Sequence, residues 1–216
     1  MPKRYIPQHF IFKGKRYRYF RHPYNSTWLN EREVEIALAR KKLQEYRGHR
    51  ILEVGNVTPH YFRSKYRQDV VDKYEPGQGV VNKDILEFTA KKPYDLIISI
   101  STIEHIGWDS IAMTKNSRPD REQRDSQKIL QTIKHLRGLL APGGELFLTA
   151  GIGYNNYLDR FLDQGKIPFS EVHYLAHEKD GRWQEAAWNQ VQGTAYDYKH
   201  CRARAIVVGS LSKYSH

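Results

Sequence analysis

Acidic residues follow three successive apolar runs of the sequence. Glu53 stands just before Gly55 at the end of the first run, Asp72 ends the second run, and Asp84 follows the third. A glycine at a strand end lets the backbone approach a ligand closely, and an acidic residue about 20 positions after the first strand can accept hydrogen bonds from a ribose diol. The pattern predicts a nucleoside-containing ligand near these residues.

A fourth apolar run ends in a second group of reactive side chains. His105 follows this run directly after Glu104, and Asp109 comes shortly afterwards. Histidine exchanges protons near neutral pH, so we expect His105 to act as a general base or to orient a substrate, with Glu104 orienting His105 and Asp109 binding the substrate. The alternative is that His105 caps the next helix or contacts the ligand without transferring a proton.

The elements that must position these residues alternate along the chain. Short apolar runs separated by helical or polar stretches are typical of a parallel sheet that is covered on both faces. Strands are predicted at 50–54, 69–71, 79–81, 94–100, 144–149, 172–176 and 205–211, and helices at 30–48, 121–140 and 155–164. Residues 178–200 carry little periodicity and are predicted to form a helix or a loop insertion.

Five motifs carry a family resemblance over residues 46–149. They are LEVGNV, VVDKYE, NKDILEF, YDLIISISTIEHIG and LAPGGELFLT. With these motifs the chain resembles the class I S-adenosylmethionine-dependent methyltransferases. The resemblance implies an α/β, Rossmann-like, doubly wound and mostly parallel sheet of seven strands, with an antiparallel last strand and a basic N-terminal extension.

The resemblance also assigns roles around the cofactor S-adenosylmethionine. It implies that Glu53 and Gly55 lie by the amino acid part of the cofactor, that Asp72 holds the ribose, and that Asp84 with Ile85 frames the adenine. The predicted cofactor-binding set is completed by Asn56, Lys73 and Ser101.

Two alternatives to such an enzyme come from the glycine-poor loop. The family carries further glycines where this chain has Asn56, Val57 and Thr58, which leaves a non-catalytic, cofactor-binding relative as one alternative. A nicotinamide dehydrogenase would need the pattern G-x-G-x-x-G to meet a pyrophosphate at a helix start. Here a carboxylate precedes the single glycine, which favours a cofactor with a positively charged sulfonium.

A metal site is not expected. Some members of the family hold a divalent metal with Glu-x-x-Glu-His, but in this chain Ser101 occupies the first of these positions. Only His173 or His177 could supply the missing ligand, and each is more typical of a surface histidine on a strand.

Aromatic residues outside the common core are expected to enclose the methyl acceptor. The predicted substrate-binding residues are Tyr24, Trp28, Trp108 and Tyr154. The segment STIEHIGWD resembles that of small bacterial methyltransferases linked with saccharide or secondary-metabolite modification, so we expect methylation of a hydroxyl on a small molecule or glycan.

Positive charge is concentrated at the start of the chain. The net charge is +11, and residues 1–50 hold 13 Lys and Arg against 4 Asp and Glu. The segment 1–28 mixes these charges with aromatic residues, so it is predicted to be either a substrate lid that grips phosphates and rings, or a flap whose aromatics pack on the methyltransferase domain at 29–216. The first interpretation keeps RNA or another nucleic acid as an alternative acceptor.

The composition limits the classes of protein to which the chain can belong. Hydrophobic residues make up 39% of the chain without a run long enough to span a bilayer, so we expect a cytoplasmic protein with no membrane partner. The one cysteine, Cys201, excludes an internal disulfide. The sequence does not indicate an oligomeric state.

Overall fold

The computed structural model of the chain describes residues 8–62, 66–107, 125 and 127–213. The chain begins with an antiparallel hairpin of β1 (His9–Phe12) and β2 (Lys15–Arg18). The other strands form one large sheet: β3 (Ile51–Val54), β4 (Gln68–Val71), β5 (Val80–Val81), β6 (Tyr94–Ile100), β7 (Leu140–Gly151), β8 (Glu171–His177), β9 (Trp183–Ala186) and β10 (Ala205–Ser212).

The strand order of the large sheet is β5-β4-β3-β6-β7-β10-β8-β9. Strands β3 to β7 are parallel, whereas β10 lies antiparallel to both β7 and β8. This confirms the predicted doubly wound, mostly parallel sheet with an antiparallel last strand. Within the described residues the sheet has eight strands rather than the expected seven, because β9 adds a strand at the edge of β8.

Helices cover both faces of this sheet. They are α1 (Arg32–Glu45), α2 (Pro59–Phe62), α3 (Lys128–Leu139), α4 (Asn156–Asp163) and α5 (Trp188–Val191), with 3-10 turns at Tyr24–Leu29, Ile85–Glu87 and Ile103–His105. Helix α1 packs on one face through residues such as Ile36 and Leu43, while α3 packs on the other through Ile133 and Leu136. Because both faces are covered, the central strands are almost continuously apolar. In the part of the chain that the structure describes, no helix is both long enough and apolar enough to cross a membrane.

The N-terminal hairpin has an inner aromatic face and an outer basic face. Phe10, Phe12 and Tyr19 are buried in the core on the α1 side of the sheet. The Tyr19 hydroxyl accepts a hydrogen bond of 2.9 Å from the backbone N–H of Trp183, which joins the hairpin region to β9. The hairpin aromatics therefore pack on the body, as the flap interpretation predicts, and a division of the chain at residue 28 stays a prediction.

Candidate active site

A cavity of about 230 Å³ opens where the carboxyl ends of β3, β4 and β6 meet. Strand ends on this edge are where ligands bind in doubly wound sheets. The residues predicted to hold the cofactor line this cavity with one exception: Gly55, Asn56, Asp72, Lys73, Asp84, Ile85 and Ser101 are in the wall. The exception is Glu53.

Gly55 allows the loop after β3 to approach the end of β6. Its φ angle is 91°, and a Cβ atom added there would overlap the Thr102 hydroxyl. Only glycine combines that backbone conformation with this contact. The close approach leaves room in front of the loop, where the cavity lies.

The Glu53 carboxylate is fully buried and lies outside the cavity wall, so its place beside the cofactor stays a prediction. Its Oε1 atom accepts hydrogen bonds from the backbone N–H groups of Val57 (3.1 Å) and Thr58 (2.7 Å), and Oε2 accepts from the Thr58 hydroxyl and the Gln68 amide. Burial raises the pKa of Glu53 to about 7, although the bonds from Thr58 oppose the rise. Glu53 therefore holds the loop in shape where the family uses further glycines.

Asp72 lies in the cavity wall and organises the backbone around it. Its Oδ2 atom accepts from the Asn56 N–H at 2.9 Å, and Oδ1 accepts from the N–H groups of Tyr74 (2.8 Å) and Glu75 (2.7 Å). A carboxylate offers about four acceptor sites, so these three bonds leave capacity for a hydroxyl donor.

Asp84 is held in the wall by two lysines. Lys128 contacts its Oδ2 atom at 2.8 Å and Lys73 contacts the same atom at 3.2 Å. Burial favours the neutral acid, but the hydrogen bonds from Lys128, Leu86 and Lys73 outweigh it and lower the pKa of Asp84. The carboxylate is therefore charged, beside the buried Ile85.

Arg32 and Glu35 belong to the site but carry no signal in the sequence pattern. Arg32 lines the cavity, and its Nη1 atom donates to the Ile100 carbonyl at 3.2 Å and lies 3.6 Å from Glu35. Glu35 also accepts from the Ser101 hydroxyl at 2.7 Å, and Ser101 has a φ angle of 39°. These contacts join α1 to the end of β6, and the residues involved are more than 60 positions apart in the sequence. A local sequence pattern does not indicate contacts at such a separation.

Glu104 and His105 lie together in the 3-10 turn after β6, but Glu104 does not orient His105 as expected. Its Oε1 atom accepts from the Gly151 N–H at 2.9 Å, and its Oε2 atom is buried without a hydrogen-bond partner among the described residues. Burial, together with the nearby Glu35, raises the pKa of Glu104 to about 8.

His105 lines the cavity with a half-buried ring whose Nδ1 atom is buried. Its Nδ1 atom likewise has no hydrogen-bond partner in the described part of the chain. Burial and the charge of Arg32 lower the pKa of His105 to about 4, so the ring is neutral at physiological pH. An imidazole that resists protonation is a weak base.

The predicted substrate-binding residues occupy different places. Tyr154 meets the His105 ring at a centroid distance of 4.5 Å. Tyr24 instead stacks on His60, and Trp28 is exposed, so neither is among the described residues that line the cavity. Trp108 and Asp109 lie outside the described residues.

No group of three His, Cys, Asp or Glu side chains suited to a metal ion occurs among the described residues. His173 contacts Phe12 and Glu171 at the hairpin side of the sheet, and His177 packs on Trp183. Neither histidine joins Glu104 and His105.

Comparison with known proteins identifies the fold. No protein-family model matches the sequence, and no curated protein matches it. Among solved structures, the N-methyltransferase NodS from Bradyrhizobium japonicum WM9, in complex with S-adenosyl-L-homocysteine, is similar with a TM-score of 0.55 and 14% identity over 88% of this chain and 93% of that chain. A SAM-dependent methyltransferase from Archaeoglobus fulgidus has a TM-score of 0.50 and 12% identity over 88% of this chain and 98% of that chain.

Both structures are too distant in sequence to transfer an activity, but each similarity extends over 88% of this chain and shows the fold. The chain therefore has the Rossmann-like fold of the class I S-adenosylmethionine-dependent methyltransferases.

Proposed function

We propose that the protein binds S-adenosylmethionine and transfers its methyl group to a small molecule or saccharide. The observation that carries the proposal is the single cavity that brings together Gly55, Asp72 and Asp84 at the carboxyl edge of the sheet. A glycine that admits close approach, an acid for a diol and an acid beside an apolar residue together fit an adenosine.

The chemistry of the cavity wall fits the parts of this cofactor. Asp72 would accept from the ribose hydroxyls, and Ile85 with Asp84 would frame the adenine. Arg32 is one of the cations in the cavity wall, and a guanidinium pairs well with a carboxylate such as that of the amino acid part. When bound, the cofactor supplies a methyl group activated by a positively charged sulfur.

The protein's own contribution to the reaction is positioning. His105 borders the cavity beside the end of β6, where an acceptor must lie to reach the methyl group, and Tyr154 packs against the His105 ring. Their rings exclude water and orient the acceptor, which is how a displacement between two bound molecules is accelerated. The sequence favours a hydroxyl as the acceptor group.

Titration calorimetry with S-adenosylmethionine tests the proposal. We expect the wild-type protein to bind, and Asp72→Ala to weaken binding by at least about tenfold, because a hydrogen bond to a charged group contributes roughly 1.5 to 3 kcal/mol. Asp69→Ala is the matched control, since Asp69 lies on the same strand but pairs with Arg50 and Tyr94 away from the cavity.

Absence of binding at millimolar cofactor would exclude the methyltransferase. Equal affinity of the Asp72 and Asp69 variants would exclude the ribose assignment alone. Binding without methyl transfer to any acceptor would favour the non-catalytic relative.

A nucleic-acid acceptor is the second candidate, and it is favoured by the outer face of the hairpin. Arg16 and Arg18 are exposed there, together with Lys15 and His9. Salt-dependent binding of RNA that is lost in the double variant Arg16→Glu/Arg18→Glu would support this acceptor. Deletion of residues 1–28 would not test it, because the deletion removes the buried aromatics of the hairpin.

A further inference from the structure

A buried acidic cluster lies next to the part of the cavity wall that contains Arg32, Ser101 and His105. It consists of Glu31, Glu35 and Glu104, each less than one tenth exposed, and Arg32 is the cation among them. Glu31 accepts from the Ala203 N–H at 2.9 Å, while Arg32 lies 3.6 Å from Glu35. When all three acids are ionised, the cluster holds more negative than positive charge.

Two atoms of this region are buried and unpaired among the described residues. One is Glu104 Oε2, and the other is His105 Nδ1, whose ring borders the cavity proposed for the cofactor. Buried polar atoms in folded proteins almost always have partners. An ionised carboxylate can only accept hydrogen bonds, so the missing partner of Glu104 in that form is a donor, whereas the neutral His105 ring can accept or donate at Nδ1.

Three tyrosine rings lie beside the acids. The tyrosine cluster consists of Tyr154, Tyr196 and Tyr198, with centroid distances of 4.9 Å between the first two and 5.0 Å between the last two. Tyr196 meets Glu104 at Gly151: a Cβ atom added to that glycine would lie 3.9 Å from the Tyr196 ring and 3.6 Å from Glu104 Oε1. The carboxylate and the ring therefore both lie close to this glycine, which has no side chain between them.

From this juxtaposition we infer that the methyl acceptor is a cationic amine, recognised by the unpaired Glu104 carboxylate and by the tyrosine cluster next to His105. The inference rests on the proposed methyltransferase function and names its substrate class. Aromatic faces and carboxylates are the two groups that attract an ammonium in a desolvated site, and an ammonium supplies the missing donors.

The same site is poorly suited to the hydroxyl that the sequence favours. A hydroxyl acceptor must lose a proton during attack, and His105 is held neutral by burial and by Arg32. An ammonium transfers one proton to the Glu104 carboxylate, giving a neutral carboxylic acid and an amine with a free lone pair. Because burial raises the pKa of Glu104 to about 8, its carboxylate is basic enough to accept this proton.

The electrostatics predict how binding depends on pH. Glu104 faces Glu35 and Arg32 from α1, Glu31 from the residue before it, Tyr196 from the loop before β10, and its neighbour His105. Only the ionised cluster attracts an ammonium strongly, so affinity should rise as the pH rises from 6 to 8.

Benzylammonium and benzyl alcohol form a matched pair of probes with the same ring. We expect calorimetry at pH 8, with the protein saturated with S-adenosylhomocysteine, to show benzylammonium binding at least about tenfold more tightly than the alcohol, because a charged hydrogen bond is worth more than a neutral one. This preference should shrink at pH 6 and disappear in Glu104→Gln.

Glu33→Gln is the control variant. Glu33 is also a buried acid of α1, but its charge is near Arg21 on the hairpin side of the helix. Its replacement should leave the preference for the ammonium unchanged.

Equal affinity for the two probes, no binding of benzylammonium, or a preference that survives in Glu104→Gln would each overturn the amine inference. Failure of the protein to bind S-adenosylmethionine would instead overturn the proposed function, so the two failures are distinguishable.

Discussion

Buried carboxylates dominate this protein at the scale of single residues. Glu31, Glu53 and Glu104 are inaccessible to solvent or nearly so, and burial raises the pKa of each to about 7 or 8. Glu53 stabilises a loop through three hydrogen bonds and accepts a fourth from Gln68 on β4, whereas Glu104 has one oxygen without a partner among the described residues. The same chemical group thus has a structural role in one place and is available for binding in the other.

Replacement of Glu104 by Gln should change the pH dependence of stability. The folded-state pKa of about 8 lies above the ordinary value, so the favourable contribution of this group is complete at low pH and is lost as the pH rises through 8. Glu104→Gln should therefore raise the midpoint of thermal unfolding at pH 9 by at least about 2 °C relative to wild type, and by much less at pH 5.

Thermal unfolding at the two pH values checks this expectation. Glu45→Gln on the exposed side of α1 serves as the control and should show no such difference. An equal change at pH 5 and pH 9 would mean that Glu104 is not forced to ionise in a buried place.

The sequence predicted those site residues that depend on strand ends. Gly55 and Asp72 follow strands directly, and Asp84 and His105 come within a few residues after the strands that precede them, so their shared edge can be derived from the order of elements. Every residue of β3 is buried, so the pattern of this strand does not indicate which of its side chains meets a ligand, and the place of Glu53 beside the cofactor stays a prediction. Arg32 and the tyrosine cluster depend on contacts between distant elements.

At the scale of elements, the loop between β3 and α2 depends on the contact of Gly55 with Thr102. Gly48 offers a matched comparison, because its φ angle of 89° is nearly the same as the 91° of Gly55 while nothing lies within 4 Å of an added Cβ. Gly48→Ala should cost about 1 to 2 kcal/mol through the left-handed conformation alone.

Gly55→Ala should cost clearly more, because it adds a clash with Thr102 to the same backbone strain. Denaturant unfolding of both variants measures the difference. If the second substitution Thr102→Ala restores part of the loss in the Gly55 variant, the clash is its cause; equal losses at the two glycines would contradict the close contact.

Element boundaries followed local signals with one clear failure. The helix predicted at 30–48 is α1 (Arg32–Glu45), and the last strand predicted at 205–211 is β10 (Ala205–Ser212). Strand β9 was not predicted, because it lies at the sheet edge and Trp183 is its one buried residue. An edge strand with a single buried side chain lacks the alternation of apolar and polar residues from which a strand is predicted.

At the scale of the whole molecule, the basic N-terminal hairpin is part of the core. Phe12 and Ile11 are neighbours on β1 with opposite burial, at 5% and 51% exposure. Phe12→Ala should lower the free energy of unfolding by roughly 3 to 5 kcal/mol, whereas Ile11→Ala should change it by less than about 0.5 kcal/mol.

Urea unfolding of the two variants separates the two interpretations of the hairpin. A small effect of Phe12→Ala would show that the hairpin detaches readily and is free to act as a lid. A large effect would leave only the outer basic face for partners.

The packing of this hairpin against strands that are distant in the sequence also constrains the order in which parts of the protein can fold. The backbone N–H of Lys13 bonds to Glu185, 172 positions further along, and its ammonium pairs with Glu171. During synthesis on the ribosome, Phe10 and Phe12 therefore stay exposed to solvent until those distant strands have been synthesised. Contacts between residues that are far apart in the sequence form slowly, and apolar side chains that are exposed in the meantime promote aggregation. During its own biosynthesis the nascent polypeptide should thus depend on chaperones that cover this hairpin.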